Sequence, residues 1–162
     1  MRRHLGYTFA EITGVVAIIG LIASIAVPMY LNIRNQAQDQ RVLRDLATLR
    51  DAVARFYQDT GYTPVNLSDV ALTTRPTQVR QSFRFKRHQS WYVVSTPTDM
   101  PWNGPYIIAK PLDPPGPAAG SSAQHWGATW AYSPSIPGVV FVDSLATMTD
   151  GRTFADATRD GF

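Results

Sequence analysis

The first third of the chain divides sharply by polarity. From Ile12 to Leu31 the run ITGVVAIIGLIASIAVPMYL carries no charged side chain. At ~1.5 Å per residue, a helix of this length reaches across a hydrocarbon core of ~30 Å. After Leu31 the chain turns polar, yet it contains neither Gly nor Pro until Gly61, and Val42, Leu46, Leu49, Val53 and Phe56 recur at alternating steps of four and three. That spacing predicts an amphipathic continuation of the same helix, running from Thr8 to Asp59 and ended by Gly61. Its apolar stripe must pack on the rest of the chain. Asp51 and Arg55 stand four apart in the favourable order, and the face with Arg41, Arg44, Asp45 and Arg50 reads as solvated or subunit-facing. Pro28 removes the helical bond to the Ser24 carbonyl, and Gly14 and Gly20 lower helix propensity, which predicts a kink or a locally melted stretch.

Beyond Gly61 the pattern changes to short runs separated by turn residues, the mark of antiparallel strands. GYTPVNLSDVAL reads as a connecting loop with one short helical turn. Ser82 to Lys86, Trp91 to Ser95, Thr129 to Tyr132 and Val139 to Val142 are β-branched or aromatic and read as strands. PLDPPGPAAGSSA, from Pro111 to Ala123, has no periodicity and reads as a surface loop. The fold class this predicts is α+β, a long N-terminal helix packed on a small antiparallel sheet. With 162 residues, one body and one membrane element are the natural division.

Charge narrows the function classes. The net charge of +3 comes from 15 basic and 12 acidic residues, and Arg2 and Arg3 sit in a candidate leader, so a trimmed chain would be close to neutral. That balance argues against a sequence-independent nucleic-acid binder. There is no cysteine, so thiol chemistry is absent and the redox compartment cannot be read.

The N-terminus is not an ordinary secretory signal, because its small residue, Gly6, precedes the apolar run and cleavage there would keep the anchor. The basic stretch Met1 to His4 predicts a cytoplasmic start, with everything after Leu31 on the far side, although Arg34, Arg41 and Arg44 weaken that bias. Glu11, the only glutamate, lies at the edge of the apolar run. A carboxylate there needs a partner or a route to the interface. MRRHLG followed by YTFAEITGVVAIIGLIASIAVP resembles the processing and anchor signature of type IV prepilins and pseudopilins: a basic leader ending in Gly, an aromatic, Glu at the fifth position after the cut, and Pro late in the apolar run. Gly6, Tyr7, Glu11 and Pro28 fill those places, with Tyr7 where the family more often has Phe.

The resemblance implies several things at once. A prepilin peptidase would cut between Gly6 and Tyr7 and methylate the new amine. The Glu11 carboxylate would pair with the N-terminal amine of a neighbouring copy, neutralising two buried charges only at the correct axial stagger. The region of Pro28 would be where the helix can unwind as subunits pack, against the simpler reading of a kink accepted in a membrane helix. The organisation is then a leader, 1–6; a transmembrane and assembly helix, 7–31; its amphipathic continuation, 32–60; and a C-terminal body, 61–162. Implied partners are other copies of the chain, minor pilins or pseudopilins, the peptidase, an inner-membrane assembly platform, and the membrane before assembly. Localisation would be the bacterial inner membrane as precursor and a periplasmic or extracellular filament once assembled.

The second half resembles the major pseudopilin of type II secretion. FYQDTGYTP after the helix, WNGPYI followed by KPLDP, and WGATWAY leading to VFVDS and a terminal Asp-Gly stretch follow that family's order. Two departures stand out: DP and WG are split by an insertion between Pro114 and Trp126, and Ser144 is further from Asp150-Gly151 than in the family pattern. By the same resemblance, calcium would sit in the loop after the last strand on Asp143, Ser144, Asp150 and Asp156, with Asp160 nearby; the competing reading is a solvated acidic tail.

Other chemistry is not signalled. His4, His88 and His125 lack metal spacing, and there is no GxSxG, phosphate loop or GxGxxG after a strand, which points away from an enzyme. Arg80, Arg84, Lys86, Arg87 and His88, interleaved with Phe83, Phe85 and Trp91, could hold DNA, as in an uptake filament, or form a strand with its charges in water and its rings in the core. The expected function is a structural filament subunit, foremost of a type II secretion pseudopilus, with a type IV or competence pilin for adhesion, motility or DNA uptake as the alternative.

Overall fold

The computed structural model describes residues 7–71, 73–85, 88–120, 123–133 and 139–159. Helix α1 runs from Phe9 to Thr60, within one residue of the span its periodicity predicts at either end. Its start is a capping box: the Thr8 N–H and hydroxyl donate to Glu11 Oε2 at 2.7 and 2.8 Å, and the Glu11 N–H returns to Thr8 Oγ1 at 3.3 Å. Its end is set by Gly61, whose φ of +75° turns the chain out of the helix while its N–H still donates to the Tyr57 carbonyl at 2.8 Å. The helix continues through Pro28, so of the two expectations, a kink or a locally melted stretch, the second does not form in the single chain. One lost bond is too little to unwind a helix whose neighbouring turns stay bonded.

The chain divides into two compact units, residues 1–38 and 39–162. In the first, every described residue is exposed, including Val15, Ile19, Ile22 and Ile25. The second has its own core. Val42, Leu46, Leu49, Val53 and Phe56, the stripe predicted from spacing, are each at most 3% exposed. They pack with Leu67, Val70, Val79, Trp130, Tyr132, Val140, Val142 and Phe154.

Among the described residues, two three-stranded antiparallel sheets build this body. One has the order β1 (Thr63–Pro64), β2 (Gln78–Phe85), β3 (His88–Ser95), preceded within the β1–β2 connection by a 3₁₀ turn at Leu67–Ala71. The other has β4 (Gln124–Trp126), β5 (Trp130–Tyr132) and β6 (Val140–Val142). All four predicted strands overlap observed ones. β1 and β4 were not foreseen, because two or three residues cannot show a period-2 pattern. Nor was the short helix α2 (Phe154–Arg159), which begins at a second capping box: the Asp156 N–H donates to Thr153 Oγ1 at 3.1 Å and the Thr153 hydroxyl donates to Asp156 Oδ2 at 2.6 Å.

The largest revision concerns Arg50. Its sequence neighbours suggest a solvated face, but the side chain is half-buried and donates to the Val140 carbonyl through Nε and to the Thr158 carbonyl through its guanidinium, each at 3.0 Å. Burial lowers its pKa from the usual arginine value. Nearby, the Val142 N–H donates to Thr158 Oγ1 at 3.0 Å. α1 and α2 thereby cover the outer edge of β6, which would otherwise present unpaired backbone groups. Asp39, 7% exposed, ties α1 to the loop after β6 by accepting from the Thr149 N–H and hydroxyl at 2.8 and 2.7 Å.

Candidate functional site

Two regions carry the residues that the sequence singles out. The first is the start of α1. Tyr7 is 84% exposed just before the helix, and Glu11 sits in its first turn with the Thr8 donors gathered on Oε2. An exposed apolar surface follows along Ile12, Val15, Val16, Ile18 and Ile19. α1 is long and apolar enough to cross a membrane, and none of its apolar window is covered by the protein itself. Such a surface is unstable in water and fits lipid or other apolar helices. Gly6 lies outside the described residues.

The second is the loop after β6. Asp143 is fully buried there, with Oδ2 2.8 Å from His125 Nε2 and Oδ1 3.1 Å from the Arg159 guanidinium. The Ser144 hydroxyl donates to the Pro115 carbonyl. Asp150 is paired with Arg152 at 3.0 Å, and the hydrogen bonds from the Arg152 N–H and guanidinium hold its carboxyl below the usual carboxylate range. Asp156 is engaged by Thr153 in the cap of α2.

Comparison with known proteins decides the family. Core protein G of the type II secretion system of Vibrio cholerae serotype O1 is 30% identical over 115 residues, covering 70% of this chain and 75% of that protein. Its counterpart in Klebsiella michiganensis is 31% identical over 114 residues, 68% of this chain and 78% of that protein. The chain belongs to the type II secretion system core protein G family, the major pseudopilins. The type IV major fimbrial protein FimA of Dichelobacter nodosus is 36% identical over 72 residues, 40% of this chain and 46% of that protein. No protein-family model matches the chain, and no solved structure matches it at a significant level.

In this pseudopilin the split DP and WG still lie together. Gly127 has a φ of +89°, and a Cβ there would lie 1.9 Å from Lys110 Nζ and 2.6 Å from Asp113 Oδ1. The Lys110–Asp113 ion pair, 2.6 Å long, therefore rests directly over Gly127, while Trp130 Nε1 donates to the Leu112 carbonyl at 3.3 Å. The insertion leaves the two motifs in contact.

A calcium ion takes six to eight oxygens, so the fit of the loop after β6 turns on which oxygens remain available. Asp143 meets the Arg159 guanidinium and the His125 ring, Ser144 is turned to Pro115, and Asp150 and Asp156 are engaged elsewhere. The described residues contain no group of three or more His, Cys, Asp or Glu side chains that could hold a metal. This donor set does not fit the ion in the arrangement seen, and Asp160 lies outside the described residues.

The basic strand is also rearranged from a simple surface patch. Arg80 is buried at 9% exposure, opposite Thr63 in the β1–β2 pairing and Val93 in the β2–β3 pairing. Arg84 lies opposite Gln89, and Lys86 and Arg87 lie outside the described residues. The residues whose contacts sequence reasoning missed are Arg50, His125 and Arg159. Only contacts far apart in the chain reveal them, with separations of 90, 18 and 16 residues in the bonds they make.

Proposed function

We propose that this pseudopilin is a structural subunit of a type II secretion pseudopilus, inserted as a single-pass precursor with its body outside the cytoplasm. A prepilin peptidase cuts it between Gly6 and Tyr7 and methylates the new amine. An inner-membrane platform then draws it into a filament of copies, capped by minor pseudopilins. The observation that carries this reading is the pairing of a fully exposed, charge-free helical surface with a body that has its own core. Subunit packing would cover that surface and replace the lipid contacts given up on extraction.

Glu11 is the specificity element in this scheme. Thr8 holds Oε2, which leaves Oε1 to take the amine of the next copy. In an apolar surround an unmatched carboxylate costs several kcal/mol, so only the stagger that supplies the amine is stable. Glu11→Ala should leave the precursor inserted and trimmed, as read by mass spectrometry of the N-terminus, while filament yield by electron microscopy falls sharply. Gly6→Ala should leave the six leader residues attached. A normal filament yield from Glu11→Ala would refute the pairing.

A further inference from the structure

We infer that the loop after β6 is closed by two side chains of this chain itself, the Arg159 guanidinium and the His125 imidazole, in place of the divalent ion that the family resemblance implies there. The argument begins with Asp143, whose side chain has no exposed surface. A carboxylate so placed must have compensating charge or hydrogen bonds within reach. It has them from two separate segments: His125 Nε2 at 2.8 Å and the Arg159 guanidinium at 3.1 Å. An ionised carboxylate only accepts, so Nε2 carries the proton in this contact. Arg159 is further positioned by the ring of Phe141, 4.6 Å from its guanidinium carbon to the ring centroid.

The backbone of the loop is spent in the same way. The Asp143 carbonyl accepts from Ala119, the Ser144 carbonyl from Ala155, and the Ala146 carbonyl from Phe154, at 3.0 to 3.1 Å. Two of these three donors come from α2 and one from the insertion. The insertion also lends its Pro117 carbonyl to the Leu145 N–H at 3.0 Å and forms a β-bridge from Ala118 to Ser144. A calcium ion would have to share these oxygens with their donors and sit beside a guanidinium already on the same carboxylate. The stretch that separates DP from WG thus has a structural role: it delivers His125 and a backbone edge to the loop.

The test uses the full trimmed chain in detergent, with thermal unfolding followed by tryptophan fluorescence. The Tm should be the same in a chelator and in millimolar calcium, above the roughly 10⁻⁴–10⁻³ M range of extracellular calcium modules. Terbium added instead should show no emission sensitised by the tryptophans. Arg159→Gln should lower the Tm by several degrees in both media. Asp143→Asn combined with it should cost less than the sum of the two single changes, because an amide no longer needs the guanidinium. A calcium-induced rise in wild-type Tm that Asp143→Asn abolishes would overturn the inference, and so would strict additivity of the two substitutions. The wild-type arm does not depend on any variant folding.

Discussion

Replacing Arg50 with Met keeps most of the aliphatic stem and removes the fork that closes the outer edge of β6. Two charge-assisted bonds are lost, to the carbonyls of Val140 and Thr158. Hydrogen bonds to charged groups contribute about 1.5–3 kcal/mol each, and a buried carbonyl left unpaired costs about 1–3 kcal/mol. Against this stands the desolvation that lowers the Arg50 pKa, which the substitution relieves. The half-buried setting and that relief favour the lower figures, so Arg50→Met should destabilise the body by about 2–4 kcal/mol. Arg50→Lys should recover less than half, because one ammonium cannot span two carbonyls in the geometry of a planar fork. All four tryptophans lie beyond residue 90, so denaturant unfolding read by tryptophan fluorescence in detergent reports the body and not the anchor. A stability for Arg50→Met within about 0.5 kcal/mol of wild type, the range of ordinary surface changes, would show that the residue is only part of a solvated face.

Two further outcomes follow from the same body. Phe56 has no exposed surface and meets Trp102 and Tyr106 with ring centroids 5.7 Å away in each case, so Phe56→Ala should cost about 3–5 kcal/mol in the same unfolding assay. The Tyr106 phenol is pushed up to about 12 by burial and by the neighbouring Asp59 carboxylate. The unfolded chain therefore releases this proton first as the solution becomes alkaline, and folded stability should fall between pH about 10 and about 12, as unfolding midpoints at both ends of that window would register. Tyr106→Phe should flatten that part of the profile.

How much the sequence reveals depends on how local the responsible physics is. The anchor run, the stripe from Val42 to Phe56 and the helix end at Gly61 are written in spacing and in one glycine, and the structure places each as predicted. The strands were legible where β-branched and aromatic residues run for three or more positions. α2 was hidden because its single turn is stabilised by the Thr153 cap and by burying Phe154, Ala155 and Thr158 on a sheet that only the folded chain assembles. The processing and pairing roles proposed for Gly6, Tyr7 and Glu11 come only through resemblance, since no periodicity assigns them.

The loop after β6 marks where motif reading runs out. Oxygen ligands in order along a chain say nothing about which side chains from elsewhere will reach them first, and a buried carboxylate is indifferent in principle to whether its compensating charge is a metal ion or a guanidinium. What decides is the cost of delivery. An ion must be captured from solution and shed its water, whereas Arg159 is carried in by α2 and His125 by β4 at the end of the insertion, so ordering these segments brings the donors with it. The same insertion that weakens the match to the family's motif spacing supplies what that motif would otherwise recruit. A filament subunit built this way should keep its body folded wherever calcium is scarce, and its helix and its body can then be selected for separate tasks: α1 for packing among copies, the loop for closing the body on its own charges.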